Sequence, residues 1–184
     1  MDSESLPLLG VADEARPRGD GEPVARAEAF ARIERRIERG LRGSGVIVVH
    51  DVHVPATATA IDHLCIGENA ITAIDVERAP GGDGRAALVG RLMRETEILA
   101  AVLGPVGVGA ERIRGGVCRL GRLPVPRSGR SGAIAVCDAR GAAKLARRAA
   151  EGRRIDVQTV LAVVRHKLGH EGQRSHRITR PDGF

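Results

Sequence analysis

The sequence predicts one α/β domain, with helices packed around a central β-sheet of about five strands. Two patterns predict it: some segments repeat apolar residues at three- and four-residue steps, and others are short runs rich in β-branched residues. These segments follow one another as helix, three strands, helix, two strands and helix, an order typical of α/β folds. With 184 residues and 42% hydrophobic content, the chain has enough apolar side chains for one core and hardly for two.

The two ends of the chain differ from its middle in composition. Residues 1–24 contain six acidic residues, two arginines and no apolar period, which predicts a disordered leader. Residues 25–168 contain the periodic segments and form the predicted domain, and residues 169–184 are predicted to be a flexible basic tail. Neither a signal peptide nor a long apolar stretch is present in the sequence, so we expect a soluble, cytoplasmic protein without membrane contact.

Basic residues are concentrated near the C-terminus. Residues 139–184 contain eleven Lys or Arg and four acids, within an overall net charge of +6. Such a region suits contacts with phosphates, but an arginine-rich composition with many Ala and Gly equally fits a genomic base bias. Phe30 and Phe184 are the only aromatic residues of the sequence. Stacking platforms for single-stranded nucleic acid are therefore lacking, and duplex backbone is the expected nucleic-acid target.

The first predicted element is a helix from Val24 to Arg42. Its apolar residues fall on one stripe and two glycines follow it; the stripe consists of Phe30, Ile33, Ile37 and Leu41. Glu34 projects about 40° from Phe30, at the edge of that stripe. It is either an ordinary surface Glu beside neighbouring arginines or a carboxylate turned towards a site.

Three strands are predicted next, over Val46–Val54, Ile61–Ile66 and Ala70–Val76, and Gly67–Asn69 form a tight turn between the last two. Asp62 opens the second strand. Asp75 and Glu77 are two residues apart and share one face of the third strand. Three carboxylates therefore converge at one end of a hairpin, which indicates either a bound cation or an exposed rim.

The remaining elements continue the α/β order. A helix is predicted over Ala86–Leu103, with Arg91, Arg94 and Glu95 off its apolar stripe. Aspartates are the expected N-caps of the last two helices. The further predicted elements are strands over Arg112–Leu120 and Ala133–Cys137, a helix over Ala139–Ala150 after Asp138, and a helix from Asp156 to Leu168.

Histidines and cysteines give weaker signals than the acids. Neither type has the spacing of a zinc site on a strand or loop. Among the histidines, His50 and His53 are predicted to be strand-surface residues and His63 to be structural, and the helical spacing of His166 and His170 is interrupted by Gly169. The three cysteines, each isolated in an apolar run, are predicted to be small buried side chains in a reducing compartment: Cys65, Cys118 and Cys137.

Three segments together, HDVHVP, IDHLCIG and AITAIDVER, resemble the nuclease-related domain (NERD) family of the PD-(D/E)xK superfamily. Members show a helix with a Glu, a strand that opens with ID-H and a strand that ends in a D/E-x-K pair. Glu34, Asp62 and Asp75 match the acidic positions, and Glu77 stands where the family has Lys. The resemblance implies a restriction-endonuclease-like, three-layer core with a central mixed sheet.

The resemblance also implies Mg²⁺- or Mn²⁺-dependent hydrolysis of DNA phosphodiester bonds, with duplex DNA as the expected substrate. Asp62, Asp75 and the main-chain carbonyl of Val76 would be metal ligands, and Glu34 would act through water. Glu77 would be the fourth catalytic acid; it should strengthen cation binding and remove a positive stabiliser. Candidate nucleic-acid contacts are Arg78, Arg91 and Arg94.

Two alternatives to catalysis remain at this point. A nuclease fold with Glu in the Lys position can be a catalytically degenerate module that binds DNA or a protein partner. The chain can also be a small α/β domain unrelated to nucleic acid, with its acids solvated at a strand end.

Overall fold

The helices and strands follow the predicted order in the computed structural model, which describes residues 21–57, 60–77, 82–119, 129–131, 134–148, 154–168 and 178–179. Most boundaries lie within a few residues of the predicted ones, as expected for helix and strand ends. The elements are α1 Gly21–Leu41, β1 Ile47–His53, β2 Ala60–Ile66, β3 Ile71–Glu77, α2 Gly82–Leu103, 3₁₀ turns Gly104–Val106 and Ala110–Arg112, β4 Ile113–Arg119, β5 Gly129–Ser131, β6 Ile134–Cys137, α3 Ala139–Arg147, α4 Val157–Val163, a π-helical segment Val164–Leu168, and β7 Ile178–Thr179.

The strands form a single mixed sheet in the order β5-β6-β4-β3-β2-β1-β7. Strands β1, β2 and β3 are antiparallel neighbours joined by short connections. Strands β3, β4 and β6 are parallel to one another. Helix α2 makes the crossover from β3 to β4 that a parallel pair requires. The described sheet has seven strands rather than about five, because β5 and β7 span only three and two residues and are too short for a hydrophobic period to reveal.

Helices cover both faces of the sheet, so the α/β architecture with a flanked mixed sheet is confirmed. On one face, α2 and α4 pack on apolar side chains of every long strand, including Val49, Leu64, Ala73 and Val117. On the other face, α1 and α3 pack on a second apolar cluster that includes Val48, Cys65, Ile74 and Cys118. Because side chains alternate along a strand, each central strand contributes to both layers.

Helix α1 lies against the sheet through the predicted stripe, in which Ile33, Ile37 and Leu41 are buried. Gly40 faces α3 at close range, because a Cβ atom built there would lie 2.6 Å from the Cβ of Ala143. Only a glycine allows the two helices to approach so closely at this point. The N-terminal predictions overlap this helix: residues 21–24 of the expected leader are helical, and residues 1–20 lie outside the described part of the chain.

The pairing of β1 with β2 is interrupted in its middle. The register pairs His50 with His63 and Val52 with Ile61, and Asp51 between them has a positive φ of 52°. Asp tolerates this left-handed conformation better than most residues. The interruption changes which residues share a face, since Val49 and Val52 enter the same apolar cluster although they are three residues apart.

The C-terminal half has the two predicted helix caps and one short strand that was not predicted. Asp138 and Asp156 cap α3 and α4 as predicted, and the Asp138 carboxylate accepts a hydrogen bond of 2.8 Å from the Gly141 N–H. Ile178–Thr179, within the segment expected to be a flexible tail, forms β7 beside β1. The other residues of 169–184 lie outside the described part.

Across the described residues, no helix combines the length and apolar character needed to cross a bilayer.

Candidate active site at the ends of strands β2 and β3

Asp62 and Asp75 lie next to each other where β2 and β3 separate. The regular ladder ends at the His63–Ile74 pair, and side-chain hydrogen bonds replace it beyond that point. The Asp62 N–H donates to Oδ1 of Asp75 at 3.1 Å, and the Val76 N–H donates to Oδ2 of Asp62 at 2.7 Å. The structure therefore brings together the two acids that the sequence placed on neighbouring strands. Each carboxylate holds the partner strand through its main chain.

Arg91 of α2 forms the main ion pair of this site. Its Nη2 lies 2.5 Å from Oδ2 of Asp75, whose side chain is fully buried, whereas the Arg91 side chain is 26% exposed. Burial by itself would lower the pKa of Arg91, but the attraction of the Asp75 carboxylate and its hydrogen bond outweigh it and raise the pKa. Arg91 therefore stays charged and is the resident positive charge of the site.

Glu95 and Asp62 add negative charge around the same guanidinium group. Glu95 lies one turn further along α2, fully buried, with Oε1 3.6 Å from Nε of Arg91. Its carboxylate and that of Asp62 both raise the pKa of Arg91 further. Three carboxylates thus lie around one arginine, and carboxylate oxygens are the ligands that hard divalent cations prefer.

Glu77 belongs to a second ion pair, next to the first along β3. Strand alternation puts it on the same face as Asp75, and its Oε2 accepts a 3.0 Å hydrogen bond from Nε of Arg119 on β4. The two residues are direct partners in the parallel register. Position 77 therefore carries a carboxylate that is paired with an arginine from the neighbouring strand.

Glu34 does not join this group. Its carboxylate lies with His50 and His63, and one ligand atom from each of the three lies within 4.8 Å of the others. These side chains are on the α1 and α3 face, because His50 alternates with Val48 and His63 with Cys65, both of the cluster on that face. Asp75 faces α2 instead, since it alternates with Ala73. The predicted set of four acids is therefore divided between the two faces of the sheet.

The other predicted site residues have varied positions. The prediction that His50 is a surface residue is wrong, because it is only 4% exposed. The Val76 main chain contacts Asp62 through its N–H, Arg94 is exposed, and Arg78 lies outside the described residues.

The cysteine prediction is confirmed for burial: all three thiols are buried and free, and burial raises the pKa of Cys65 and of Cys137 to about 12.

Comparison of the chain with protein-family models, curated proteins and solved structures gave no match.

Sequence reasoning missed Glu95 and Arg119 as members of the site. The spacing of Arg91 and Glu95, four residues apart on a helix, is a signal for an ion pair but says nothing about burial. Arg119 carries no signal in the sequence, because its pairing with Glu77 depends on the register of two parallel strands 42 residues apart.

Proposed function

We propose that this protein is a metal-dependent, nuclease-like hydrolase of DNA phosphodiester bonds. The observation that supports it best is the meeting of Asp62 and Asp75, buried and hydrogen-bonded to each other's strands, at the end of the β2–β3 ladder. The order of elements also agrees with the resemblance: helix, three antiparallel strands, crossover helix, and a strand parallel to the third.

The donor set suits a hard cation. Mg²⁺ commonly uses one or two protein carboxylates and completes its shell with water and substrate phosphates. Asp62 and Asp75 would hold Mg²⁺ or Mn²⁺, and a third carboxylate, Glu95, lies close to the same arginine. When bound, the ion supplies neutralisation of the scissile phosphate and activation of a water molecule.

The chain's own residues would position the substrate. Arg91 is partly exposed and already charged beside Asp75, so its guanidinium group can contact a phosphate oxygen as the carboxylate turns to the metal. Arg119 holds Glu77 in place at 3.0 Å and reduces the repulsion that this carboxylate would exert on a phosphate. Arg91 and Arg119 thus supply positive charge near position 77, where the resemblance would have a lysine.

A second function is favoured by the same ion pairs. Both acids of β3 are neutralised by arginines, Asp75 by Arg91 and Glu77 by Arg119. A domain in which these pairs persist in the presence of metal would bind DNA or a protein partner without cutting it. Its DNA binding would depend on salt, as contacts with phosphates do.

Cleavage assays on linear, circular and branched duplex DNA, with Mg²⁺ or Mn²⁺, separate the two functions. We expect the wild-type protein to cut at least one of these substrates, Asp75→Asn to lose the activity, and Glu97→Gln, an exposed acid of α2, to keep it. Circular dichroism of each variant checks folding, and Asp62→Asn provides a second ligand variant if Asp75→Asn does not fold.

Fluorescence anisotropy with the same DNA gives the second measurement. Salt-dependent binding that is unchanged in Asp75→Asn, with no cutting by the wild type, would replace the nuclease proposal with the binding module. Absence of both cutting and binding at low salt would remove both functions and leave an α/β domain unrelated to nucleic acid.

A further inference from the structure

Glu34, His50 and His63 form a second cluster of metal-binding side chains, on the face of the sheet opposite to Asp75. One ligand atom from each lies within 4.8 Å of the other two, and they are the only such group of three among the described residues. They come from α1, β1 and β2, so the cluster joins the first helix to the first hairpin. His63 is fully buried and His50 is 4% exposed.

Strand pairing places the two imidazoles side by side. His50 and His63 are direct partners in the antiparallel register of β1 and β2. Their ring centroids are 4.9 Å apart, and the rings are inclined at 61°. Asp51, with its left-handed backbone, follows His50 directly. Both rings therefore project towards α1 at the point where the hairpin is interrupted.

Helix α1 presents two carboxylates to these rings. Glu34 and Glu38 are one turn apart on the same side of the helix, separated by the buried Ile37 and its neighbours. Oε1 of Glu38 lies 3.3 Å from Nε2 of His50. A carboxylate in this position can orient the imidazole, as carboxylates beside metal-binding histidines commonly do.

The donor atoms of this cluster are of the types that bind a divalent cation. They are two imidazoles and the Glu34 carboxylate, with the Glu38 carboxylate beside His50. Imidazole nitrogen with carboxylate oxygen is a donor set that suits Zn²⁺ and neighbouring transition metals, whereas Mg²⁺ prefers oxygen alone. Apolar side chains of the α1 face surround the site, among them Ile37, Val48 and Ile74.

We infer that Glu34, His50 and His63 bind a divalent transition-metal ion of the Zn²⁺ type, with Glu38 orienting His50 or completing the shell. In a tetrahedral site with metal–ligand distances of about 2.0–2.2 Å, ligand atoms lie about 3.4 Å apart. From their 4.8 Å limit, the ligand atoms need to approach by up to about 1.4 Å, and rotation of the half-buried Glu34 side chain brings its carboxylate closer to the two imidazoles. The ion ties α1 to the β1–β2 hairpin.

This site is separate from the proposed nuclease site and does not depend on it. Asp75 faces α2, whereas the histidines face α1. Substitution of Asp75 therefore tests one site, and substitution of Glu34 tests the other.

The experiment uses untagged full-length protein freed of metal with a chelator, and Co²⁺ and Zn²⁺ as probes. Calorimetry measures the affinity, and the visible absorption of bound Co²⁺ reports imidazole and carboxylate ligation. We expect one ion per chain with an imidazole-containing Co²⁺ spectrum, which distinguishes it from an ion held by Asp62 and Asp75 alone. Loss of an outer carboxylate lowers metal affinity by about 10–100-fold, so Glu38→Gln should fall in that range, and Glu34→Gln at least as far.

Matched controls make the outcome specific. Glu28→Gln, an exposed acid of the same helix, should keep the wild-type affinity and Co²⁺ spectrum, and Asp75→Asn should keep the imidazole-containing part of that spectrum. His50→Gln should lose the spectrum. Circular dichroism of the metal-free variants shows whether each is folded, and Glu34→Gln serves as the decisive variant if His50→Gln is not.

The inference is overturned if the wild type binds neither ion, which would leave a metal-free histidine and glutamate network. It is also overturned if Glu34→Gln binds as tightly as Glu28→Gln. Loss of Co²⁺ binding in Asp75→Asn but not in Glu34→Gln would assign the ion to the other face of the sheet.

Discussion

Substitution of Arg91 by Ala tests whether the ion pair with Asp75 stabilises the domain. The change leaves the fully buried Asp75 carboxylate with the Asp62 N–H but without its charge partner. Removal of one member of a buried pair typically costs about 3–5 kcal/mol. Because the Arg91 side chain is 26% exposed, water reaches part of the gap, and we expect a loss of about 2–3 kcal/mol in the free energy of unfolding.

Denaturant titration and thermal melting measure this loss. For a domain of this size it corresponds to a fall in melting temperature of about 5–10 °C. Arg94→Ala is the matched control, because Arg94 is an exposed arginine of the same helix; its effect should stay within about 0.5 kcal/mol. Equal stability of the two variants would show that the Arg91–Asp75 contact contributes nothing, and would refute the reasoning.

The same variant tests cation binding by the carboxylates. Arg91→Ala removes the positive charge that lies beside Asp75 and Glu95, so Mg²⁺ or Mn²⁺ should stabilise Arg91→Ala more than the wild type. At a concentration 100 times the dissociation constant, a ligand stabilises the folded state by about 2.7 kcal/mol. Equal responses of the two proteins to added metal would contradict this expectation.

Two further predictions concern packing and buried thiols. Gly40→Ala should destabilise the fold by about 1–3 kcal/mol, because the new methyl group would meet Ala143. The control Gly90→Ala, whose new Cβ has its nearest atom at 3.8 Å, should stabilise α2 by up to about 1 kcal/mol. Equal melting temperatures of the two variants would exclude the close contact between Gly40 and Ala143. Burial raises the pKa of Cys65 from 9.0 to about 12. Between these two pH values the thiol keeps its proton in the folded chain and loses it in the unfolded chain. Stability should fall from about pH 9 upwards, by about 1.4 kcal/mol per pH unit for this thiol, and denaturant titrations should show a shallower decline in Cys65→Ala.

Most of the fold could be predicted because the strongest sequence signals are local. The stripe through Ile33 and Ile37 and the β-branched runs on either side of Gly67 report burial directly, through periods of 3.6 and two residues. The hairpin turn is confirmed by the 3.0 Å hydrogen bond from the Gly67 N–H to the Ala70 carbonyl. Strands β5 and β7 could not be predicted, because two or three residues do not establish a period.

The site was predictable only as far as neighbouring strands define it. Asp62 and Asp75 are close because a tight turn joins their strands, and that turn is visible in the sequence. The rotation of α2, which turns Arg91 towards Asp75, depends on packing across the layers. Glu34 lies with His50 and His63 for the same reason, because a position at the edge of an apolar stripe does not specify which strand residues it meets.

The two shortest strands close the two lateral borders of the sheet. Strand β5 lies against β6, and β7 pairs with Val48 and Val49 of the seven-residue β1, so each border of the array is partly covered by a short strand. A long unpaired border is a template on which another polypeptide can add a strand and begin aggregation. Strands β5 and β7, of three and two residues, offer very little main chain for such an addition where they lie. Within the described part of the chain, the template for strand addition is therefore shortened at both borders.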